Sequence, residues 1–202
     1  MKKLTILIIT IIALVSAGKA QTNLKGVDFT NFTFVIEKTK VKMKDGLQEN
    51  ACTKKDADGI PDGDIWSLEK ESIAYGDLDG DGNEEAIISM IANVCGGNMV
   101  TNEAVLVYTM SKGKPLQLPT FDYYDEGCKA GEKDCNFSRN GGVLARYDGK
   151  EKAIIIETSF VTEADALCCP SFYRETWYKW DGSNFVEAKK GKILKREKSE
   201  GN

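Results

Sequence analysis

Hydrophobic and polar residues alternate over short segments along most of this chain, which is the pattern of half-buried β-strands. In the segment 39–44, Val41 and Met43 alternate with lysines, so one face of a strand would be apolar. β-branched and aromatic residues concentrate in several other segments, as they do in strands. The predicted strands are 32–36, 39–44, 86–94, 104–110, 143–147, 153–160, 172–180 and 185–187.

Asp-Gly pairs separate several of these segments and predict tight hairpins. The clearest are Asp148-Gly149, between 143–147 and 153–160, and Asp181-Gly182, after 172–180. No stretch keeps a helical period over four turns, although 66–73 has room for a short helix. We therefore predict a mainly β fold, an antiparallel sheet or small sandwich or barrel with one or two short helices.

The N-terminus has the three parts of a secretory signal peptide. Lys2 and Lys3 precede an apolar run over 4–15, and Gly18 and Ala20 supply the small residues before a cleavage site. The run is shorter than the roughly 20 residues of a membrane-spanning helix. We predict a signal peptide over 1–20 and a periplasmic or secreted protein without a stable membrane span. Cleavage after Ala17 and an uncleaved anchor are the alternatives.

Length and charge limit the remaining organisation. A chain of 202 residues suits one domain with its own core, which we place at 21–188. The segment 189–202 carries six basic residues and is predicted to be a basic, flexible tail, with a patch for an acidic partner as the alternative. The net charge of −4 disfavours a nucleic-acid partner.

The chain contains no histidine. Ser-His-Asp triads, Cys-His pairs and histidine-ligated zinc or iron sites are therefore excluded. The sequence favours a role without catalysis, and no catalytic residue is assigned.

Six cysteines are expected to form disulfides in an exported protein. Cys128 and Cys135 enclose a short, glycine-containing polar loop that closes easily, so this pairing is favoured. Cys168 and Cys169 are adjacent, and a bridge between neighbours strains the peptide. We expect at least one of them to pair with Cys52 or Cys95.

The most specific motif is the acidic loop, residues 77–85, in which acids alternate with glycines. Calcium binds six to eight oxygens, and alternating aspartates in a tight turn direct several carboxylates to one centre. The glycines permit the backbone angles that such a turn needs. The predicted ligands are Asp77, Asp79, Asp81, Asn83 through its backbone carbonyl, and Glu85. A hairpin turn without an ion is the alternative.

The acidic loop departs from helix-loop-helix calcium sites, because its twelfth position is Ile88 rather than a bidentate glutamate. A β-branched apolar run follows it, so the loop is predicted to join strands. A second acidic stretch at 56–64 contains Pro61. It is interpreted as a solvated loop, with a second weak metal site or a donated ligand as alternatives.

The acidic loop and the strand after it resemble the D-x-D-x-D-G-x-x-[DE] calcium loops of FG-GAP-type repeats, although one copy does not imply a propeller. Four motifs, at 75–86, 95–97, 168–171 and 178–182, are together similar to small exported bacterial proteins of unassigned function. The C-C-P-S segment at 168–171 resembles mycobacterial LppP/LprE-type lipoproteins. A lipid-acceptor cysteine is lacking near the signal peptide, so the resemblance does not imply membrane anchoring. Because the function of these proteins is unassigned, it implies no reaction either.

These observations predict an exported, disulfide-linked binding or accessory domain that calcium stabilises and whose partner is an unknown protein or envelope component. The alternative is a hydrolase of envelope glycans that uses paired carboxylates, because such enzymes need no histidine.

Overall fold

The computed structural model describes residues 23–97, 99–125, 127, 138–165 and 170–196, with the backbone alone at 138–142. The chain is mainly β and antiparallel, which confirms the predicted fold class. Within this part of the chain, helical structure consists of the 3-10 turns η1 (Leu24–Gly26), η2 (Phe29–Asn31) and η3 (Lys70–Ser72). No helix among the described residues is long and apolar enough to cross a membrane.

The described residues form strands that we number in chain order. They are β1 (Thr33–Ile36), β2 (Thr39–Lys44), β3 (Leu47–Gln48), β4 (Lys54–Lys55), β5 (Pro61–Asp62), β6 (Asp64–Ser67), β7 (Ile73–Gly76), β8 (Glu85–Val94), β9 (Val100–Ser111), β10 (Lys114–Gln117), β11 (Ser138–Asp148), β12 (Ala153–Val161), β13 (Phe172–Trp180), β14 (Phe185–Lys190) and β15 (Leu194–Lys195).

The first sheet has the strand order β1-β2-β3-β6-β8-β9-β10 and curls into a half-barrel. β8 is long enough that two short strands pair along one of its edges, β6 beside its second half and β7 beside its first half. The turn η3 connects these two strands where a short helix was predicted over 66–73. The two ends of the sheet approach each other, since Gln117 Nε2 of β10 donates to the Val35 carbonyl of β1 at 3.2 Å.

The second sheet has the order β11-β12-β13-β14, with β15 paired to β13. Both predicted hairpins are confirmed, because β11 pairs with β12 around Asp148-Gly149 and β13 pairs with β14 around Asp181-Gly182. β4 and β5 form a separate two-stranded ribbon.

Two hydrophobic cores lie on opposite faces of β8 and β9. Side chains of alternate residues, such as Ile88 and Leu106, fill the inner core of the half-barrel. The residues between them, Ile87, Val105 and Val107, face the second sheet. Together with residues of that sheet and Leu78 they build the interface core: Leu78, Ile87, Val105, Val107, Val143, Ala145, Ile154, Ile156, Tyr178 and Phe185. Because both faces of β8 are covered, its sequence is a continuous apolar run rather than an alternating one.

Cys52 and Cys95 form a disulfide, with their Cα atoms 5.5 Å apart. The expectation that Cys168 or Cys169 would pair with one of them is therefore wrong. Pairing of β6 with β8 explains this, because it brings the segment before β6 beside the end of β8, where the Cys95 amide donates to the Gly63 carbonyl at 2.9 Å. The favoured Cys128–Cys135 pair lies outside the described residues and stays a prediction.

The structure differs from the predicted domain boundary at residue 189. The second sheet continues past it, because β14 extends to Lys190 and β15 pairs with β13. Arg196 then donates from Nη2 to Glu157 at 2.6 Å and to Ser159 at 3.0 Å. Its guanidinium also lies over the Tyr173 ring. Cross-strand contacts that sequence spacing does not reveal thus hold residues 189–196.

Replacing both Cys52 and Cys95 by alanine is expected to lower the free energy of unfolding by about 4 kcal/mol. Without the bridge, the unfolded chain regains the entropy that closing this long loop had removed. The bridge spans a sequence separation of 43 residues. Urea denaturation of the mature protein measures the change, with Thr53→Ser as a neighbouring control. A double variant as stable as the parent protein would contradict this assignment.

Candidate metal site in the acidic loop

The acidic loop connects the end of β7 to the start of β8, so it lies at one end of the half-barrel. Leu78 is 4% exposed and packs into the interface core, which holds the loop against the second sheet. Gly80 and Gly82 have φ angles of +82° and +89°, a left-handed conformation that favours glycine. The alternation of acids and glycines therefore gives a tight, anchored turn, as the sequence predicts.

Each aspartate of the acidic loop accepts a hydrogen bond from the backbone shortly after it. Asp77 Oδ1 accepts from the Gly80 amide at 2.7 Å. Asp79 Oδ1 accepts from the Asp81 amide at 3.0 Å, and Asp81 Oδ1 accepts from the Asn83 amide at 2.7 Å. These bonds are typical of Asx turns. They curl the loop through local contacts alone.

The structure brings three of the five predicted ligands together. Asp77, Asp79 and Glu85 each offer one carboxylate oxygen, and these oxygens lie within 4.8 Å of one another. Asp81 lies outside this group, and its two oxygens accept from the amide and the side chain of Asn83. The carboxylate cluster, defined as Asp77, Asp79 and Glu85, is a group that could bind a metal ion.

Glu85 is the buried member of the carboxylate cluster, with 2% of its surface exposed at the start of β8. Its Oε2 accepts from the Leu78 amide at 2.9 Å and its Oε1 from the Thr109 hydroxyl at 3.1 Å. Burial raises the pKa of Glu85; these two hydrogen bonds oppose the rise, and the charges of Asp79 and Asp81 add to it. Binding of a proton or a cation by this carboxylate is therefore favoured, because either one neutralises its buried negative charge.

Thr109 was not identified from the sequence as part of the site. It belongs to β9 and lies one residue beyond the pairing of Ala86 with Tyr108. Only the register between β8 and β9 places its hydroxyl beside Glu85. The sequence predicts both strands, but their relative register depends on contacts distant in sequence.

A small cavity of about 40 Å³ adjoins the carboxylate cluster. A cavity of this size holds about one water molecule. Its lining combines two carboxylates and a hydroxyl with apolar groups: Leu78, Asp79, Glu85, Thr109, Leu118 and Trp180.

Lys152 brings a positive charge to the acidic loop from the turn between β11 and β12. Its Nζ donates to Asp77 Oδ2 at 3.1 Å. This hydrogen bond is the largest of the effects that hold the pKa of Asp77 below its ordinary value. Part of the mutual repulsion of the aspartates is therefore relieved within the protein. No pattern in the sequence indicates this contact, because the two residues lie in connections that belong to different sheets.

Tyr147 of β11 fixes the start of the acidic loop. Its hydroxyl donates to the Asp77 carbonyl at 3.0 Å. Its ring covers Gly76, where a Cβ atom would lie only 2.2 Å from Tyr147 Cγ. A glycine is thus required at this position for the second sheet to approach the acidic loop so closely.

The second acidic stretch, 56–64, has a different structure. It comprises the exposed turn after β4, the strand β5 and the first residue of β6, and Asp56 Oδ1 accepts from the amides of Asp58 and Ile60. Among the described residues, the group of three close carboxylates lies in the acidic loop and includes none of the acids of this stretch.

In calcium-free buffer, Glu85→Gln is expected to gain stability relative to the parent protein as the pH rises. The ordinary pKa of Glu85 is 4.5, and burial raises it in the folded state. In the parent protein, the contribution of Glu85 to folding stability is therefore fully present below its pKa in the unfolded chain. This contribution is lost as the pH rises through the pKa of Glu85 in the folded protein, whereas glutamine does not titrate. Urea denaturation over a pH series tests this, with the exposed Glu71→Gln as control. A stability difference that does not change with pH would contradict it.

Comparisons with known proteins identify no family for this chain. No family model matches the chain, and neither a curated protein nor a solved structure matches it. The resemblance to FG-GAP-type loops and to LppP/LprE-type lipoproteins therefore stays a prediction from short motifs.

Proposed function

We propose that this chain is an exported, disulfide-linked binding or accessory domain, and that a calcium ion held by the acidic loop stabilises it. The observation that carries the calcium proposal is the convergence of Asp77, Asp79 and Glu85, whose carboxylate oxygens lie within 4.8 Å of one another. The proposed partner is a protein or a component of the cell envelope.

The carboxylate cluster fits a hard cation in its chemistry and dimensions. Calcium binds oxygens at 2.3–2.6 Å, so two oxygens on one ion are at most about 5 Å apart. The three carboxylates supply three donors of the six to eight that calcium takes. Asp81, the Asn83 carbonyl and water are the proposed sources of the others. The ion would supply positive charge that neutralises the acids and links them.

The position of Glu85 supports a structural role for the ion. Glu85 begins β8, the strand with a hydrophobic core on each face. An ion on Glu85 and the aspartates would link the acidic loop to this central strand. Calcium at ten times its Kd would add about 1.4 kcal/mol to the free energy of unfolding.

The proposed export is supported by the signal-like segment 1–20 and by the Cys52–Cys95 disulfide, because disulfides persist in oxidising compartments. The segment 1–20 lies outside the described residues.

The alternative function, a glycan hydrolase with paired carboxylates, gains no support at this site. Glu85 is almost completely buried, and the cavity beside it measures about 40 Å³. A sugar ring needs far more space than one water molecule. The carboxylates therefore suit an ion better than a glycosidic bond.

Calorimetric titration of the mature protein with calcium is expected to give one binding event and a higher melting temperature. Asp79→Asn and Glu85→Gln should each weaken binding about tenfold or more, because the number of ligand charges sets calcium affinity. Asp62→Asn, which removes an exposed acid from β5, is the matched control. Absence of heat and of a thermal shift in the parent protein would refute the calcium part of the proposal.

Lys152→Met is expected to raise calcium affinity about tenfold. The ammonium and a doubly charged ion both require Asp77, and their repulsion at about 4 Å amounts to roughly 2 kcal/mol in water. Salt screening of these exposed charges reduces the expected effect to about tenfold. Lys150→Met removes the same charge from an exposed position in the same turn and is the control. Equal affinities of the two variants would show that Lys152 does not compete with the ion.

A further inference from the structure

A cleft far larger than the cavity beside Glu85 opens on the outer face of the second sheet, where the turn between β11 and β12 meets β13 and β14. Its volume of about 390 Å³ is within the range of ligand-binding pockets. Trp177 and Lys179 flank Tyr178, which points into the interface core, so their side chains project from the opposite face. We call this space the tryptophan cleft, and its charged and aromatic lining consists of Asp148, Lys150, Glu151, Trp177, Lys179 and Lys189.

A β-bulge in β14 shapes the tryptophan cleft. Glu187 lies opposite Tyr178 and Lys189 lies opposite Trp177, so Ala188 is an extra residue without a partner in β13. An extra residue bends a strand and redirects the side chains beside it. The Lys189 ammonium lies 4.2 Å from the centroid of the Trp177 ring. Ala188 also lines the cleft, and its small side chain leaves space beside the ring.

The Trp177 indole is held in place before any ligand binds. Its Nε1 donates to Asp148 Oδ2 at 3.0 Å. Asp148 Oδ1 accepts from the amides of Lys150 and Glu151 at 3.0 and 3.2 Å. The indole hydrogen bond is the largest of the effects that hold the pKa of Asp148 below its ordinary value. The ring therefore needs little reorganisation on binding, which lowers the entropic cost of holding a ligand.

The acids of the tryptophan cleft have partners, whereas two of its lysines have no carboxylate partner. Glu151 Oε2 accepts from Lys179 Nζ at 2.9 Å, and Asp148 accepts the three hydrogen bonds given above. In the part of the chain that the structure describes, neither Lys150 nor Lys189 forms an ion pair. These two ammonium groups can therefore bind an anion without first breaking an ion pair.

A hydroxylated ring that carries one carboxylate matches these groups. The half-buried indole of Trp177 offers an apolar surface to a ring, and an ammonium forms charge-assisted hydrogen bonds with a carboxylate. The exposed Lys179–Glu151 pair supplies donors and acceptors for hydroxyl groups. A doubly charged phosphate fits less well, because Asp148 and Glu151 repel the second negative charge.

We propose that the tryptophan cleft binds an acidic sugar, a uronate unit of an anionic envelope polysaccharide. This inference deepens the proposed role as a binding domain for an envelope component and rests on it. It does not involve the calcium ion, since none of the carboxylate cluster lines the tryptophan cleft.

The test is calorimetric titration of the mature protein with trigalacturonate, and in parallel with its methyl ester, which keeps the rings and removes the charges, and with inorganic phosphate. The methyl ester is expected to bind about tenfold more weakly than the acid, because it loses two ionic contacts. Lys150→Met and Lys189→Met should each weaken trigalacturonate binding about threefold. Lys40→Met removes the same charge from an exposed position of β2 and should leave the affinity nearly unchanged.

The contribution of the indole is tested by Trp177→Leu. This variant should weaken binding of trigalacturonate and of its methyl ester by a similar factor, because the ring contact does not depend on charge. The exposed lysine variants keep the inference testable if this half-buried substitution lowers the melting temperature. Binding of the acid, but not of the ester, should weaken further at about 1 M salt.

Four outcomes would overturn the inference. If Lys40→Met weakens binding as much as the cleft variants, the saccharide is not held by the cleft. If the methyl ester binds as tightly as the acid, the ligand is a neutral glycan. If phosphate alone binds, and Lys150→Met and Lys189→Met weaken that binding, the ligand class is a phosphate. If no probe binds, the acidic-sugar site is refuted, whereas the calcium titration of the parent protein still decides the metal separately.

Discussion

The structure depends on the burial of β8 on both of its faces. Alternate side chains of this strand enter the inner core and the interface core, so half-barrel and second sheet share one central element. Burial of a large aliphatic side chain contributes about 1.5–3 kcal/mol, and Ile87 and Ile88 are both fully buried. Glu85 begins the same strand, which forces a carboxylate into a region where apolar groups dominate. The electrostatics of the acidic loop follow from that position.

Residues of both sheets form hydrogen bonds and an ion pair with the acids of the acidic loop. Thr109 and the Leu78 amide satisfy the oxygens of Glu85, while Lys152 and Tyr147 reach Asp77 from the second sheet. The loop therefore keeps its shape through its own hydrogen bonds, through hydrogen bonds from both sheets and through one ion pair. Lys152 lies half exposed, where an ion pair contributes little. A divalent ion could thus displace the Lys152 ammonium from Asp77.

Much of the fold could be predicted from the sequence, because strand and hairpin signals are local. Alternation in 39–44 and the Asp-Gly pairs at 148 and 181 correspond to observed strands and turns. The alternation of acids and glycines likewise indicated the carboxylate cluster. The contacts that the sequence did not predict depend on strand register or on contact between the two sheets. There are three of them: the Cys52–Cys95 disulfide, the Thr109 hydroxyl beside Glu85 and the Lys152 ammonium on Asp77. Each joins residues that become neighbours only when the sheets assemble.

The Tyr123 hydroxyl has a consequence for how copies of this protein behave toward one another. An uncovered strand edge is a template on which identical molecules can stack into larger sheets. Here the Tyr123 hydroxyl accepts from the Val105 amide and donates to the Glu103 carbonyl, so one donor and one acceptor that another strand would use on β9 are already occupied. Edge-to-edge aggregation is therefore discouraged at this part of the strand.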